Sequence, residues 1–563
     1  MDRVDLVPPP AGAAEPQAAA VAAEAMACAD GVAERADALA AAPLLNCLLR
    51  EIAEPLPGPP GGDGRFLYRL PGGGRLLRVR GARRPAEPEV YTAGAWQRLD
   101  HAALVALVAE VLRGHTGLAN DELPAEMTDS RDVVAAMLAA RACATPPPGR
   151  YLRSEQSLLT GHPHHPAPKA RGGGPPADWL PYAPEAHARF PLVLLGLRED
   201  AVVEEGDTAA LDALGTAPPG YRLLPAHPWQ LELAGRRLAP FFADGRLVRI
   251  GTTAFETWPT AAVRTVYAPE RDLCLKFSLD VRITNDIRRL WRHDLLELRR
   301  TDEAAARAFA AIADAAGVAG AAGDTGATGA TGAPAAGGGP GVRRPAVWLS
   351  DRGYRTADFA FEELAVLVRD GLDGASDPGV TPLLAAGLVE GFDGSPLAAA
   401  ADPAAWWEAY LAVVVPPALS AFADHGVVVE AHLQNTLVAV DADGTPVQAL
   451  FRDAEGVKLL SDVERAAGWE RLVYCLVVNH LWEVAAALAE GHPGFDPWPA
   501  VRLELGRHGL PEAVTLLTAP TLPGKTNLLL RWTGADGADA RYLPLPNPLI
   551  RCGRSGDGSA STR

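Results

Sequence analysis

Three stretches carry residue types that could do chemistry. The first is 276–289, KFSLDVRITNDIRR, with WPTAAVRTVY just before it, which sets Arg264, Thr265, Lys276 and Arg288 close together along the chain. Clustered cations attract a polyanion, and these alternate with Ile, Val, Leu and Trp as a partly buried set does; a solvated basic face is the plainer alternative. The second is SEQSLLTGHPHHPAPKARGG, which offers His162, His164, His165, Lys169 and Arg171 between prolines. Proline lowers the entropy lost when a loop is ordered, so a rigid loop aimed at an anion is one reading. A surface turn is another, and a metal site a third, made awkward by two intervening prolines and by the lack of suitably spaced carboxylates. The third stretch is 427–456, VVVEAHLQNTLVAVDADGTPVQALFRDAEG. It reads as a buried strand, a loop of donors and acceptors, and a β-hairpin closed by a DG turn. Glu430, His432, Gln434, Asn435 and Asp453 are its candidates: an Asn and an acid from successive strands are the hard oxygen ligands that magnesium on nucleotide phosphates requires, against the alternative of ordinary solvated residues.

The bulk properties narrow the anion. The chain has 563 residues and a net charge of −17, from 69 acidic and 52 basic residues. That balance argues against general nucleic-acid or anionic-membrane binding, so a cationic site here is a local pocket suited to small anions. Six scattered cysteines without a CxxC pair read as reduced thiols of a cytoplasmic protein. The N-terminus lacks the pattern of a signal peptide, and no apolar run reaches the ~18–20 residues that span a bilayer. The length implies roughly two to four subdomains.

Elements must position these groups. Residues 1–15 read as disordered, and a helical Ala/Leu pattern runs from Glu15 to Arg50. RFLYRL and RLLRVRG form a hairpin around PGGG. HAALVALVAEVLRG and DSRDVVAAMLAARA are helices, the second opened by a capping Asp or Ser. Strand-like runs from LVLLGL onward lead to a helix starting near Asn285, capped by Thr284 or Asn285, on which Asp286, Arg289 and His293 share one face and Arg288 and Arg292 another. AHPWQ, with His227, Trp229 and Gln230, is functional or a buried structural turn. The Gly/Ala-rich 316–342 is a flexible insertion at a subdomain boundary. Asn479 and His480 lie in an apolar helix and read as core. PGKT at 523–526 is not a phosphate loop: Ala519 stands where a glycine is needed, and no strand–loop–helix context is evident; Lys525 and Arg531 remain possible contacts from a strand.

In order along 150–535, GHPHHPAPKAR, HPWQ, WPTAAVRTV, KFSLDVRITNDIRR, EAHLQNTL and FRDAEG resemble the NRPS-independent siderophore synthetases of the IucA/IucC (aerobactin-synthetase) type. The resemblance implies an α+β cupped hand of thumb, fingers and palm with antiparallel sheets, a helix-rich thumb and a helix-rich C-terminal part. The divisions are a thumb over 16–150, fingers over 151–315, a palm over 343–550 and a disordered tail over 551–563. It implies ATP and Mg²⁺ as cofactors, and adenylation of a carboxylate such as citrate or a succinyl compound, followed by condensation with an amine or hydroxylamine to an amide or hydroxamate. By this carry-over and the residue reading together, Arg288, His432 and Lys276 are catalytic. His162, Lys169, Arg264, Thr265, Lys276, Gln434 and Asn435 hold the nucleotide; Arg288, His432 and Lys525 hold substrate; Glu430 and Asp453 hold the metal; Arg282, Arg289 and Arg292 are structural. A homodimer is implied by the resemblance alone. Two positions depart from the family pattern: Ala262 replaces a small hydroxyl residue, removing one nucleotide hydrogen bond of about 0.5–1.5 kcal/mol, and Thr160 stands where an acid precedes GHP. A kinase-like phosphotransferase, suggested by His-x-x-Asn followed by an Asp, and a non-catalytic ligand-binding protein are the rival readings.

Overall fold

A computed structural model describes residues 31–57, 64–172, 174–284, 286–323, 346–535 and 542–553. The Ala/Leu-rich pattern becomes helix α1 (Val32–Glu51), and the part of the expected helix before residue 31 lies outside the described residues, as do 1–15 and 554–563. The expected RFLYRL/RLLRVRG hairpin forms as β2 (Arg65–Arg69) and β3 (Leu76–Arg80), inside a sheet with β1 (Glu54–Pro55), β4 (Ala86–Thr92) and β5 (Ala95–Arg98). Helix α2 (His101–Thr116) is capped by Asp100, whose side chain accepts from the Ala103 amide. Helix α3 (Glu122–Cys143) begins earlier than its DSRD signal, because Asn120 Oδ1 already accepts the Leu123 amide. Asp129 and Ser130 are therefore mid-helix, and they hold the proline-rich loop instead: Ser130 Oγ accepts from Lys169 N, and Asp129 Oδ2 from Arg171 N and Gly172 N. Helix α4 (Arg150–Glu155) leads into that loop.

A three-stranded sheet pairs β6 (Val193–Arg198) with β8 (Tyr221–Ala226) and β9 (Leu247–Thr252), matching the strand-like runs. A six-stranded antiparallel sheet joins β10 (Trp258–Pro259), β11 (Thr265–Ala268), β12 (Leu273–Phe277), β17 (Val366–Asp370), β16 (Asp351–Ala357) and β7 (Val202–Gly206) in that order. Sheet continuity thus crosses the expected boundary between fingers and palm, since β16 and β17 follow the low-complexity segment. No helix starts at Asn285, which itself lies outside the described residues. Residues 282–287 close a small hairpin, β13 (Arg282–Ile283) with β14 (Asp286–Ile287), with Thr284 in the left-handed region at φ 61°. Helix α5 begins only at Arg292 and runs to Gly323, so the shared helical faces expected for Asp286, Arg288, Arg289 and Arg292 do not exist. Its last residues occupy the start of the expected insertion; 324–345 lie outside the described residues.

The largest core is built on a four-stranded sheet of β15 (Ala346–Leu349), β21 (Pro446–Arg452), β20 (Thr436–Val440) and β18 (Thr381–Leu384), with β15 and β21 parallel. Helices α6 (Ala385–Glu390), α7 (Pro403–Ala423) and α8 (Arg465–Gly491) pack around it, and a two-residue strand β19 (Val427–Val428) pairs with β22 (Lys458–Leu459). Contrary to the reading of apolar runs, α8 is long and apolar enough to cross a membrane; 72% of its apolar window is buried inside the protein, as in a core helix. The chain ends with β23 (Thr521–Lys525), helix α9 (Asn527–Trp532) and β24 (Tyr542–Pro546). Against expectation a strand and a helix do meet at PGKT, but Pro523, Gly524 and Lys525 are themselves part of β23 and the helix starts two residues after Lys525, leaving no loop to cradle a phosphate. The architecture is α+β with several antiparallel sheets.

Candidate active site

Between the six-stranded sheet and the large core lies a cavity of about 990 Å³ whose wall includes all twelve residues proposed from sequence for the site. Its most charged end is assembled by β-pairing. Lys276 on β12 lies opposite Thr265 on β11, and Asp453 and Glu455 follow β21 directly. The Lys276 ammonium lies 2.5 Å from Asp453 Oδ1 and also bonds Glu455 Oε2. Arg369 on β17, which sequence reading missed, donates to Asp351 at 2.6 and 3.0 Å and to Asp453 Oδ1 at 3.0 Å. Burial alone would raise the Asp453 carboxyl, but Lys276 and Arg369 overcome it and hold it well below the usual range. Two non-glycine residues here adopt left-handed backbone, Val263 at φ 64° and Asp453 at φ 86°; such strain, of order 1–3 kcal/mol each, collects where a site dictates geometry.

Arg264 is less free than its position in the sequence suggested. Its guanidinium donates to the carbonyls of Arg288 and Arg289 at 3.2 and 2.8 Å and to Glu455 at 3.2 and 3.4 Å, tying the β13–β14 hairpin to the site. Arg288 donates to Ile283 O and Thr284 Oγ1, both at 2.7 Å; burial and then Arg264 pull it down to about 10, still charged at neutral pH. Arg289 pairs with Asp280 and Arg292 lies over Phe361, both structural roles as expected. The loop bearing Ala262 and Arg264 is held by two residues: Glu155 accepts from Ala261 N and from Arg452, and Gln434 Nε2 donates to Ala261 O at 3.2 Å. Gln434 is thus a positioning group as well as a wall residue. Asn435 and Thr265 are buried on the wall.

The histidines repeat one arrangement. His162 Nδ1 accepts the His164 amide at 3.0 Å, and His432 Nδ1 accepts the Gln434 amide at 3.2 Å. Enclosure lowers both rings, so each is neutral, with its proton placed on Nε2 by the bond at Nδ1. They are therefore hydrogen-bond donors toward the cavity. His164 turns away, to Arg50 at 2.8 Å and Glu483 at 3.1 Å, and among the described residues no group of three or more potential metal ligands forms, which removes the metal reading of this loop. Lys169 is on the wall but engaged by buried Glu185. Glu430, expected to hold metal with Asp453, is instead paired with Arg471; Glu455 is the acid that shares Lys276 with Asp453. Thr160 does not leave its turn without a carboxylate, because its amide and hydroxyl both donate to Glu390 Oε1, at 2.9 and 2.8 Å, from the end of α6. Lys525 reaches the wall from β23, whereas Arg531 bonds Glu126 on α3 and is no site contact. Asn479 also lines the cavity, and only His480 is core as expected. His227 is buried among Tyr182, Phe190 and Phe277, the structural reading of HPWQ.

The IucA / IucC family model matches residues 150–390, and one described as ferric iron reductase FhuF-like transporter matches 404–540. The chain is 28% identical to L-2,3-diaminopropanoate–citrate ligase of Staphylococcus aureus, over 71% of this chain and 75% of that protein. It is 26% identical to rhizobactin siderophore biosynthesis protein RhbC of Rhizobium meliloti, over 90% and 96%. Spermidine-citrate ligase of Bacillus anthracis is 25% identical over 71% and 74%. Among solved structures, ATP-bound aerobactin synthetase IucA of Klebsiella pneumoniae superposes with a TM-score of 0.73 at 21% identity, covering 91% of this chain and 99% of that one, and so has the same fold. Residues 150–390 thus match the IucA / IucC family, with their motifs in its order, and the chain as a whole is similar to ligases of siderophore biosynthesis.

Proposed function

We propose that the chain is an ATP-dependent acid–amine ligase of siderophore assembly. A carboxylate oxygen of a polycarboxylic acid bonds to the α-phosphorus of ATP as the α–β P–O bond breaks and pyrophosphate leaves. The nitrogen of an amine or hydroxylamine then bonds to the acyl carbon, AMP leaves, and the amine proton passes to solvent. The observation that carries this reading is the joining of two kinds of group on one cavity: buried Lys276 and Arg369 set in acids, and neutral imidazole donors at His162 and His432. Bringing two anions together is the obstacle in the first step, and cations already fixed by hydrogen bonds in the wall offset it without reorganising. The two imidazole N–H groups suit oxygens of the acyl phosphate, and no protein nucleophile is needed.

Asp453 and Glu455 are the carboxylates that would hold Mg²⁺. They converge on the Lys276 ammonium, and magnesium takes few protein ligands, filling its shell with water and phosphate oxygens. When bound, the ion would neutralise charge on the departing pyrophosphate. A cytoplasmic homodimer belongs to the same reading. The test is incubation with ATP, Mg²⁺, citrate and hydroxylamine, assaying AMP, pyrophosphate and hydroxamate against ADP. AMP with hydroxamate is expected, and ADP would replace the ligase with a phosphotransferase. R288A is expected to lower pyrophosphate release about 100-fold and also to lower the melting temperature, because Arg288 holds Ile283 O and Thr284 Oγ1; near-normal turnover in the folded variant would remove Arg288 from the site.

A further inference from the structure

One charged residue beside the site never reaches the cavity. Asp351 opens β16, its side chain is fully buried, and it is not on the wall that Arg369 and Asp453 share. Its two oxygens accept three hydrogen bonds. Oδ1 takes Arg369 Nε at 2.6 Å, and Oδ2 takes Arg369 Nη2 at 3.0 Å and the Ala454 amide at 2.9 Å. The residue is itself held from behind: Asp302 Oδ1 on α5 accepts the Asp351 amide at 2.8 Å and the Trp348 indole at 2.7 Å. Asp351 stands opposite Arg369 in the β16–β17 pair, and the guanidinium commits one whole edge, Nε and Nη2, to it. Of that edge only Nη2 also reaches Asp453, at 3.0 Å, and it meets Oδ1, the oxygen that Lys276 already holds at 2.5 Å. Among the described residues no hydrogen bond engages Asp453 Oδ2.

We propose that Asp351 is a positioning residue for the reaction: by occupying the fork of Arg369 it leaves Asp453 Oδ2 open to the metal on the nucleotide. The inference rests on the reading of Asp453 and Glu455 as metal-holding carboxylates and goes on to what keeps one of them available. A guanidinium binds a carboxylate most strongly through two parallel N–H bonds, and it has that form with only one carboxylate per edge. Asp351 and Asp453 both bond Arg369 and compete for its edge. While Asp351 is charged the fork goes to it, and Asp453 receives a single bond on the oxygen already spent on Lys276. Without that charge, Asp453 is the carboxylate left to Arg369, and the fork closes on both of its oxygens. A magnesium ion that keeps most of its water would then have to break a buried, bidentate ion pair to reach Oδ2, and affinity falls.

The test is calorimetric and needs no turnover. α,β-Methylene-ATP, which cannot release pyrophosphate, is titrated into the wild type, D351N and D351N/R369Q, once with Mn²⁺ standing in for Mg²⁺ and once with EDTA. For each protein the ratio of the two dissociation constants is what the metal adds to nucleotide binding, and because it is taken within one protein a variant of reduced folded yield still reports it. D351N keeps one acceptor for the Ala454 amide but loses the charge that holds the fork, and is expected to lower the ratio about tenfold. D351N/R369Q removes the competing fork as well and is expected to return the ratio to within about threefold of the wild type. A residue that merely joined β16 to β17 would move the melting temperature and leave the ratio alone, so an unchanged D351N ratio overturns the proposal. A lowered ratio that the second substitution does not restore overturns it too, by assigning the effect to the turn at Ala454 instead of to Arg369. Should D351N not fold by itself, the double variant, in which neither member of the buried pair lacks its partner, carries the comparison, and a ratio more than about tenfold below the wild type overturns the proposal. If Mn²⁺ does not tighten nucleotide binding to the wild type at all, the metal reading of Asp453 and Glu455 is withdrawn together with the inference built on it.

Discussion

Lys276 stands where a small cation would be most stable, between the carboxylates of Asp453 and Glu455, with only 3% of its side chain exposed. A lysine in that place keeps two acids ionised and close to one another, and a metal would compete for the same oxygens. Glu430 does not bond Lys276: its Oε1 is held by Arg471 and its Oε2 lies 4.0 Å from His432 Nε2. E455Q is accordingly expected to raise the Mg²⁺ concentration for half-maximal pyrophosphate release about tenfold, and E430Q to move it less than twofold. A titration of both variants decides the matter, and equal shifts would restore Glu430 as a ligand. The imidazoles point the same way on charge: His162 and His432 each use Nδ1 as an acceptor from the backbone two residues on, which leaves a neutral N–H facing the substrates rather than a lone pair. In the proposed reaction their part is to donate to developing negative charge, and removing a proton from the amine falls to solvent.

At the level of elements, the site depends on how α8 meets the loop of residues 429–435. His480, in the π-helical turn Val473–Leu481, donates from Nδ1 to Ala431 O at 2.8 Å and accepts from the Tyr410 hydroxyl at 2.5 Å on α7. Burial lowers this imidazole from 6.5 to about 4. A base with a depressed folded value contributes stability that is present above about 6.5 and is lost as pH falls toward 4, here about 3 kcal/mol for the one ring. Urea unfolding from pH 7 to 4 is expected to show the gap between the wild type and H480Q shrinking by about that amount, and a constant gap would count against it. Comparison with the variant isolates His480 from His164 and His187, which titrate with the same sign. How much of this was legible in sequence depended on range. The DADG hairpin was plain, because alternation and turn chemistry act within ten residues or so. The β13–β14 hairpin was not: Arg288 and Arg292 have helical spacing, yet a left-handed Thr284 and the grip of Arg288 on Ile283 O turn the chain before a helix can start. Arg369, Glu155 and Glu390 carry no local mark at all. Each is an ordinary charged residue whose partner lies far along the chain, and Glu155 meets Arg452 across 297 residues.

The whole molecule is closed by its two ends. Helix α9 leaves the large core and inserts Leu528 and Trp532 into the core formed by α1 and α2. Its first amides, Leu528 N and Leu529 N, each donate at 2.9 Å to Glu51 at the end of α1, and Asn527 Nδ2 donates to His164 O at 2.6 Å. The same short segment carries Lys525 to the cavity wall, so the docking of the N-terminal part and the placement of Lys525 are linked. A carboxylate at a helix N-terminus is favourable, yet burial outweighs those bonds and raises Glu51 from 4.5 to about 7. For an acid with a raised folded value, the stabilising contribution is complete below about 4.5 and is lost as pH rises through 7, by at most about 3 kcal/mol. This runs opposite to His480. E51Q removes the titration and retains one acceptor for the Leu528 or Leu529 amide, at a cost that does not change with pH. The stability of E51Q relative to the wild type should therefore improve steadily from pH 4.5 to 7 and level off beyond. The protection factors of the Leu528 and Leu529 amides, which remove the intrinsic pH dependence of exchange, should fall over the same interval in the wild type and stay level in E51Q. A relative stability that is flat from pH 4.5 to 8 would mean that Glu51 stays ionised throughout, and that the link between the two ends of the chain is insensitive to protons.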